Sequence, residues 1–237
     1  MKRILIPILS LSLLATTAYA QCNNAFYSLE EGSEFEMTSY NKKDKPQTRI
    51  VYAVGKVEES GDAYEATFHS TIYDEKDEMV SDGEFVVICE DGNIRVDMQR
   101  LTSSMDQLAA YDEMEVESEV SFLEIPSNLE VGQNLPDGHT TIKVKMGEGN
   151  MAMTTMKIDV VNRKVEAKEN LSTPAGTFEC YKITYDTDMN IKVMGFANKS
   201  TFSSAEWVAR GVGVVKTESY DKKGRLNAYS LLTDLKK

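Results

Sequence analysis

The chain has 237 residues, 41% of them hydrophobic, with 38 acidic against 26 basic side chains and a net charge of −12. That is enough apolar material to bury a core, so an acidic disordered tail is excluded. The negative charge argues against nucleic acid as a partner and disfavours docking on anionic lipid headgroups.

Residues 1–20 read as a secretory signal. Lys2 and Arg3 are followed by an apolar run from Ile4 to Leu14 and by Ala18-Tyr19-Ala20, small residues where a signal peptidase cuts. The run is too short to cross a bilayer as a helix, and no later segment approaches the roughly 20 apolar residues needed, so no transmembrane segment is expected. The expected protein is exported, to the periplasm or outside the cell, and begins at Gln21 as a single β domain over 21–237. Cys22 stands near the lipoprotein position, but Gln21 precedes it where a small residue is required.

The rest is dominated by alternation of apolar and polar residues, the signature of half-buried strands. Strands are predicted at Glu34 to Tyr40, Arg49 to Val57, Tyr64 to Tyr73, Gly83 to Cys89 and Ile94 to Met98. Further strands are predicted at Glu113 to Phe122, Thr140 to Met146, Met151 to Val160, Lys164 to Leu171 and Thr177 to Tyr185. The last are Ile191 to Gly195, Glu206 to Ser219 and Leu226 to Leu232. Asp91-Gly92 is a strong hairpin signal, and Pro174 suits the second position of a type I turn closed by Thr177. Thr102 to Tyr111 alone has helical spacing, with Met105, Leu108 and Ala109 on one face. The expected fold is mainly β: an antiparallel, strongly curved sheet or barrel-like roll with one short helix.

Three segments share one device. Tyr40-Asn41-Lys42-Lys43-Asp44, Tyr73-Asp74-Glu75-Lys76-Asp77 and Tyr220-Asp221-Lys222-Lys223-Gly224 each end a strand with an aromatic and a polar turn. Leu29-Glu30-Glu31-Gly32 and Leu129-Glu130-Val131-Gly132 open two stretches alike. Two related β halves meeting near 112–130 would account for this, as would the ordinary convergence of hairpin turns on the same residues.

Ser172-Thr173-Pro174-Ala175-Gly176-Thr177-Phe178-Glu179-Cys180-Tyr181-Lys182-Ile183 resembles a signature of exported Bacteroidota proteins labelled TapB-like. Leu29 to Gly32, Ile125 to Leu129, and Trp207 to Lys216 followed by Tyr220-Asp221 fit the same pattern. The resemblance covers the whole mature chain. It implies a β-barrel or β-roll envelope protein without assigned activity. Related exported β folds include curved half-barrels that hold lipid, an analogy at the level of fold.

Three cysteines in an oxidising compartment make one disulfide and one free thiol, with three pairings open. Cys22 with Cys89 is preferred, because it ties the N-terminus to a strand and leaves Cys180 as a buried thiol. No zinc spacing is present, and neither a metal nor another cofactor is expected. His69 and His139 lack any triad context, no Gly-x-Ser-x-Gly elbow occurs, and no catalytic residues are assigned. Met146, Met151, Met153 and Met156 are concentrated, with Met189 and Met194 following. Core packing ranks first for them, a pliable lining for an apolar ligand second, and copper third. Glu113, Glu115, Glu117 and Glu119 fall on one strand face, expected to be solvated and offset by lysines on neighbouring strands. Trp207 opens a strand in which Gly211 and Gly213 leave room on one face. The favoured expectation is a non-catalytic protein that holds a lipid or other apolar small molecule, with Met146, Met151, Met153 and Trp207 as candidate lining. The alternative is a module that docks another envelope protein.

Overall fold

The structure is a computed structural model that describes residues 22–98, 114–119, 121–146 and 152–237. The signal segment and the expected helix over 102–111 lie outside the described residues.

Thirteen strands follow in chain order: β1 (Glu34–Asn41), β2 (Pro46–Ser60), β3 (Ala63–Tyr73), β4 (Met79–Glu90), β5 (Asn93–Asp97), β6 (Met114–Ser118), β7 (Phe122–Ile125), β8 (Gly138–Met146), β9 (Ala152–Thr173), β10 (Gly176–Val193), β11 (Phe196–Ala209), β12 (Gly213–Tyr220) and β13 (Leu226–Lys236). They form one antiparallel sheet in the order β6-β8-β9-β10-β11-β12-β13-β1-β2-β3-β4-β5-β7. Apart from β6, β7 and the β13–β1 junction, neighbours in the sheet are neighbours in sequence, so short hairpins dictate most of the topology.

The sheet curls until its margins meet. β6 at one margin and β7 at the other are almost contiguous in the chain. On leaving β6, the Glu119 N–H donates to Thr141 O (3.1 Å) on β8, while Ser121 O accepts from Met98 N–H (2.8 Å) at the end of β5. Gly138 of β8 lies so close to β7 that a Cβ there would stand 2.5 Å from Leu123 Cδ2. A side chain here would displace the ends of Leu123 and Met98, so glycine allows the closest approach at this seam. Register shifts at Val54/Val57, Val144/Lys145, Thr184/Asp186 and Trp207/Val208 supply bends of the kind that curl a flat sheet.

Several predicted boundaries are corrected. Met151 to Val160 and Lys164 to Leu171 are one strand, β9. The break read at Val161-Asn162-Arg163 is a bulge, with Asn162 at φ 57°. Its extra residue switches the buried positions from Met156, Ile158 and Val160 to Arg163 and Val165. Thr177 to Tyr185 and Ile191 to Val193 likewise merge into β10, Met194-Gly195 is the loop that follows, and residues 196–205 form a strand that alternation does not signal because they are mostly exposed on both faces. Glu206 to Ser219, expected to be one strand, is split by a turn in which Gly211 and Gly213 take φ of 66° and 98°. Glycine there permits positive φ rather than opening one face of a strand. Glu113 to Phe122 resolves into β6 and the start of β7. His139 lies in β8, and the Pro174-Ala175 loop is closed by Thr173 paired with Gly176 rather than by Thr177.

The core has two parts. The larger cluster fills the curl with Phe26, Phe35, Phe68, Phe85, Val87, Ile94, Val165, Ile183, Val208 and Leu232 among its members. A smaller cluster near the seam contains Met98, Leu123, Ile142, Met156, Ile158 and Val160. The N-terminal segment closes one end. Ala25 and Phe26 are fully enclosed, and Ala25 O and Phe26 O accept from Gly211 N–H (2.8 Å) and Val212 N–H (3.2 Å). Arg210 lies 4.6 Å over the Phe26 ring and donates to Asn24 O (2.8 Å) and Ser127 O (2.5 Å). Cys22 is bonded to Cys89 of β4 with a Cα separation of 5.9 Å, and Cys180 is a buried free thiol.

Candidate functional site

Inside the curl, between the β1–β4 wall and the β11–β13 wall, lies a cavity of about 240 Å³. Its walls follow from alternation. Phe35 and Met37 on β1, Phe68 on β3 and Phe85 on β4 all fall on the inward face. The rings are fixed against one another: Phe68 stacks on Phe85 at 5.3 Å, Tyr27 meets Phe68 edge-on at 6.3 Å, and Tyr52 meets Phe85 edge-on at 5.9 Å. Such pairs are favourable beyond the area they bury. Tyr27 comes from the N-terminal plug, and its ring lies 3.2 Å from where a Gly213 Cβ would be. The φ of 98° favours glycine and the contact is tight for any side chain, so the turn after β11 holds one wall of the cavity.

Three polar side chains reach the cavity: Glu206, Thr217 and Ser230. Glu206 is 4% exposed and sits opposite Thr217 in the β11–β12 register. A carboxylate among aromatic rings gives the lining one strong acceptor.

The residues singled out from sequence lie elsewhere. Met151 and the side chain of Met146 are outside what the structure describes. Met153 is half-buried near the start of β9, and Met156 belongs to the seam cluster. Trp207 is buried but faces the opposite way from Glu206. Its Nε1–H donates to Glu169 Oε1 (2.6 Å), and Lys216 Nζ and Lys182 Nζ lie 4.5 and 5.4 Å from its ring. Trp207 thus belongs to the larger core cluster on the side of β11 away from Glu206, where lysine stems cover an aromatic. Met153 and Trp207 do not line the aromatic cavity. The signal for the true lining was weak. Tyr27, Phe68 and Phe85 are ordinary strand or loop aromatics until the sheet curls, and Glu206 is one of 38 acids.

The other chemistry is structural. His69 Nδ1 lies 2.8 Å from Glu84 Oε1 on the exposed face, and His139 is exposed. On β6, Glu117 is paired to Lys145 of β8 and stands opposite Lys143 in register. Lys145 and Lys143 pull the Glu117 carboxyl below its usual range. No group of three or more His, Cys, Asp or Glu that could hold a metal occurs among the described residues.

Two solved structures share the fold. A Bacteroides fragilis protein described as a candidate exported protein with a YmcC-like fold is 25% identical, with a TM-score of 0.70 over 90% of this chain and 100% of its own. A Parabacteroides distasonis protein described as a candidate lipoprotein is 22% identical, with a TM-score of 0.72 over 90% of this chain and 99% of its own. No curated protein matches. The description of the Bacteroides fragilis relative supports an exported location. With a family model matching residues 30–232, nearly the whole described sheet, the chain belongs to the DUF3108-like family.

Proposed function

We propose that this is a non-catalytic envelope protein, allied to the TapB-like exported proteins, that holds a small apolar molecule or the end of an acyl chain in the aromatic cavity. The observation that carries the reading is the cavity itself: ten of its thirteen lining residues are aromatic or aliphatic, and the remaining three offer a carboxylate and two hydroxyls. Apolar walls with a few convergent polar groups are the usual form of a small-molecule site. At about 240 Å³ the cavity falls below the roughly 300–1,000 Å³ of drug-sized pockets, which favours a chain end or small ring over a whole lipid. Cys22 spends its sulfur on the bond to Cys89, and a lipid on that sulfur would exclude the bond. The reading is therefore of a protein released after signal cleavage.

Native mass spectrometry of protein purified gently from a bacterial envelope tests this, with solvent extraction to identify any adduct. A stoichiometric apolar adduct is expected, and Val214→Phe, which fills the cavity from β12, reduces its occupancy at least tenfold. A clean apo mass after incubation with mixed envelope lipids would sink the proposal.

A further inference from the structure

The β10–β11 hairpin ends in exposed apolar residues. β11 pairs with β12 only from Ser203, so residues 196–202 extend beyond that neighbour by roughly 20 Å. At the tip Val193 is 44% exposed, Met194 75% and Phe196 83%. Folding alone does not explain these residues. Met194 and Gly195 form the two-residue loop with φ of 47° and 91°, a geometry that favours Asn, Asp or Gly in both places. The other non-glycine residues at positive φ among the described residues are Asp44, Asp77, Asp91 and Asn162. Met194 alone puts an apolar side chain into a strained backbone and then leaves it in solvent.

Around the tip the charge reverses sign. On the convex face the register aligns Lys192 with Thr155 and Lys143, and Lys199 with Asn190 and Lys157. All four lysines are exposed, and none forms an ion pair among the described residues. On β9 and β10 the acids begin one row further back, at Asp159 and Asp188; on β6 Glu117 stands opposite Lys143 and is paired to Lys145. A chain of net charge −12 thus presents Lys157, Lys192 and Lys199 without a facing acid, with Lys143 beside them opposite Glu117, behind an apolar point. Residues 22–27 and Lys237 lie at the other end of β11, around Gly211, so the tip points away from the N-terminus.

We propose that this tip docks the protein on an anionic lipid surface, with Val193, Met194 and Phe196 entering the apolar layer and Lys143, Lys157, Lys192 and Lys199 facing headgroup phosphates. Apolar side chains at the interface and basic residues within a Debye length of it act together in this way. Whole-chain acidity opposes such docking at long range. At the tip the local lysines outweigh it, because salt screens the distant acids over about 8 Å. The cavity plays no part in this contact.

The test is flotation of the purified full-length mature protein with vesicles of phosphatidylethanolamine and phosphatidylglycerol, against vesicles of phosphatidylcholine alone. Binding to the anionic vesicles is expected, weakening as salt rises. Phe196→Ser should lower it about tenfold, and Lys192→Glu with Lys199→Glu at least fivefold per position. All three positions are exposed, so unchanged melting curves certify the fold of the variants. A tryptophan introduced by Phe196→Trp should shift its emission to the blue on the same vesicles. The proposal is overturned by absence of binding to the anionic vesicles, by equal binding to both vesicle types, or by binding that survives both sets of substitutions. It is overturned equally if the tip drives self-association, seen as a doubled mass that Phe196→Ser abolishes, without vesicle binding.

Discussion

Single residues show how burial decides chemistry here. Cys180 is enclosed between strands, and burial, with Glu169 and Glu179 adding, pushes its thiol up to about 11. The folded state therefore favours the protonated form. Its contribution to stability is complete below the unfolded value near 9 and is lost as pH climbs from there toward 11. Iodoacetamide at pH 8 should leave the native protein unmodified and label one cysteine once urea opens the unreduced chain. Labelling of the native protein would place Cys180 at the surface. Trp207 makes a second case. Trp207→Phe keeps the ring between the lysines but removes the donor to Glu169, and should cost about 1–2 kcal/mol in urea denaturation. A neutral result would show that Glu169 is satisfied without the indole.

Among elements, the three similar turns are one structure built three times. Asn41, Asp74 and Asp221 each accept through Oδ1 from the N–H two and four residues on: Lys43 and Lys45, Lys76 and Glu78, Lys223 and Arg225. The residue three places on takes positive φ in each case: 58° at Asp44, 65° at Asp77, 71° at Gly224. The side chain closes the loop by mimicking a backbone acceptor. A Cβ at Gly224 would meet nothing within 4 Å, so Gly224→Ala should cost about 1 kcal/mol from backbone conformation alone. Asp221 is held down at about 2, first by Arg225 and then by backbone N–H groups, and the N–H groups of Glu78 and Lys76 hold Asp74 below its usual range. Depressed folded values mean stability present above pH 4 and lost as pH falls toward 2. The melting temperature should drop across that window, and Asp74→Asn with Asp221→Asn should flatten the drop. The openings at Leu29 and Leu129 also repeat: Gly32 N–H donates to Val54 O and Gly132 N–H to Val165 O, at 2.9 and 2.8 Å. This equivalence of β2 with β9 is what two related halves would produce.

At the scale of the molecule, the Cys22–Cys89 bond closes a loop over a sequence separation of 67. Cross-linking a loop of that length stabilises by about 4 kcal/mol through the unfolded chain. Cys22→Ser with Cys89→Ser should therefore lower the urea midpoint markedly. Because Phe26 and Tyr27 enter the core just after Cys22, the same variant should also loosen the cavity wall and weaken retention of any apolar adduct. A variant as stable as the parent would mean that packing of the plug suffices.

What the sequence by itself determined is local. Period-two alternation places residues on faces, turn residues place hairpins, and together these yield an antiparallel meander, with β1, β3 and β5 bounded to within a residue. The errors fell where local rules give no sign. Asn162 resembles a break, yet β9 continues through it because β10 pairs across the bulge and satisfies its backbone. Gly211 and Gly213 suit a curved strand as well as a turn, and the plug decides, with Ala25 O and Phe26 O accepting from the Gly211 and Val212 N–H groups. The methionines and Trp207 stood out because they are scarce or clustered, which is a property of composition. The cavity depends instead on which inward-facing rings meet across the curl. Phe68 and Phe85 reach Tyr27 only because the sheet bends through its bulges and the N-terminal segment folds back into the open end. No spacing along the chain encodes that meeting, or the approach of Val214, Thr217 and Ser230 from the far end of the sequence to the same cavity, and only closure of the tertiary structure decides it.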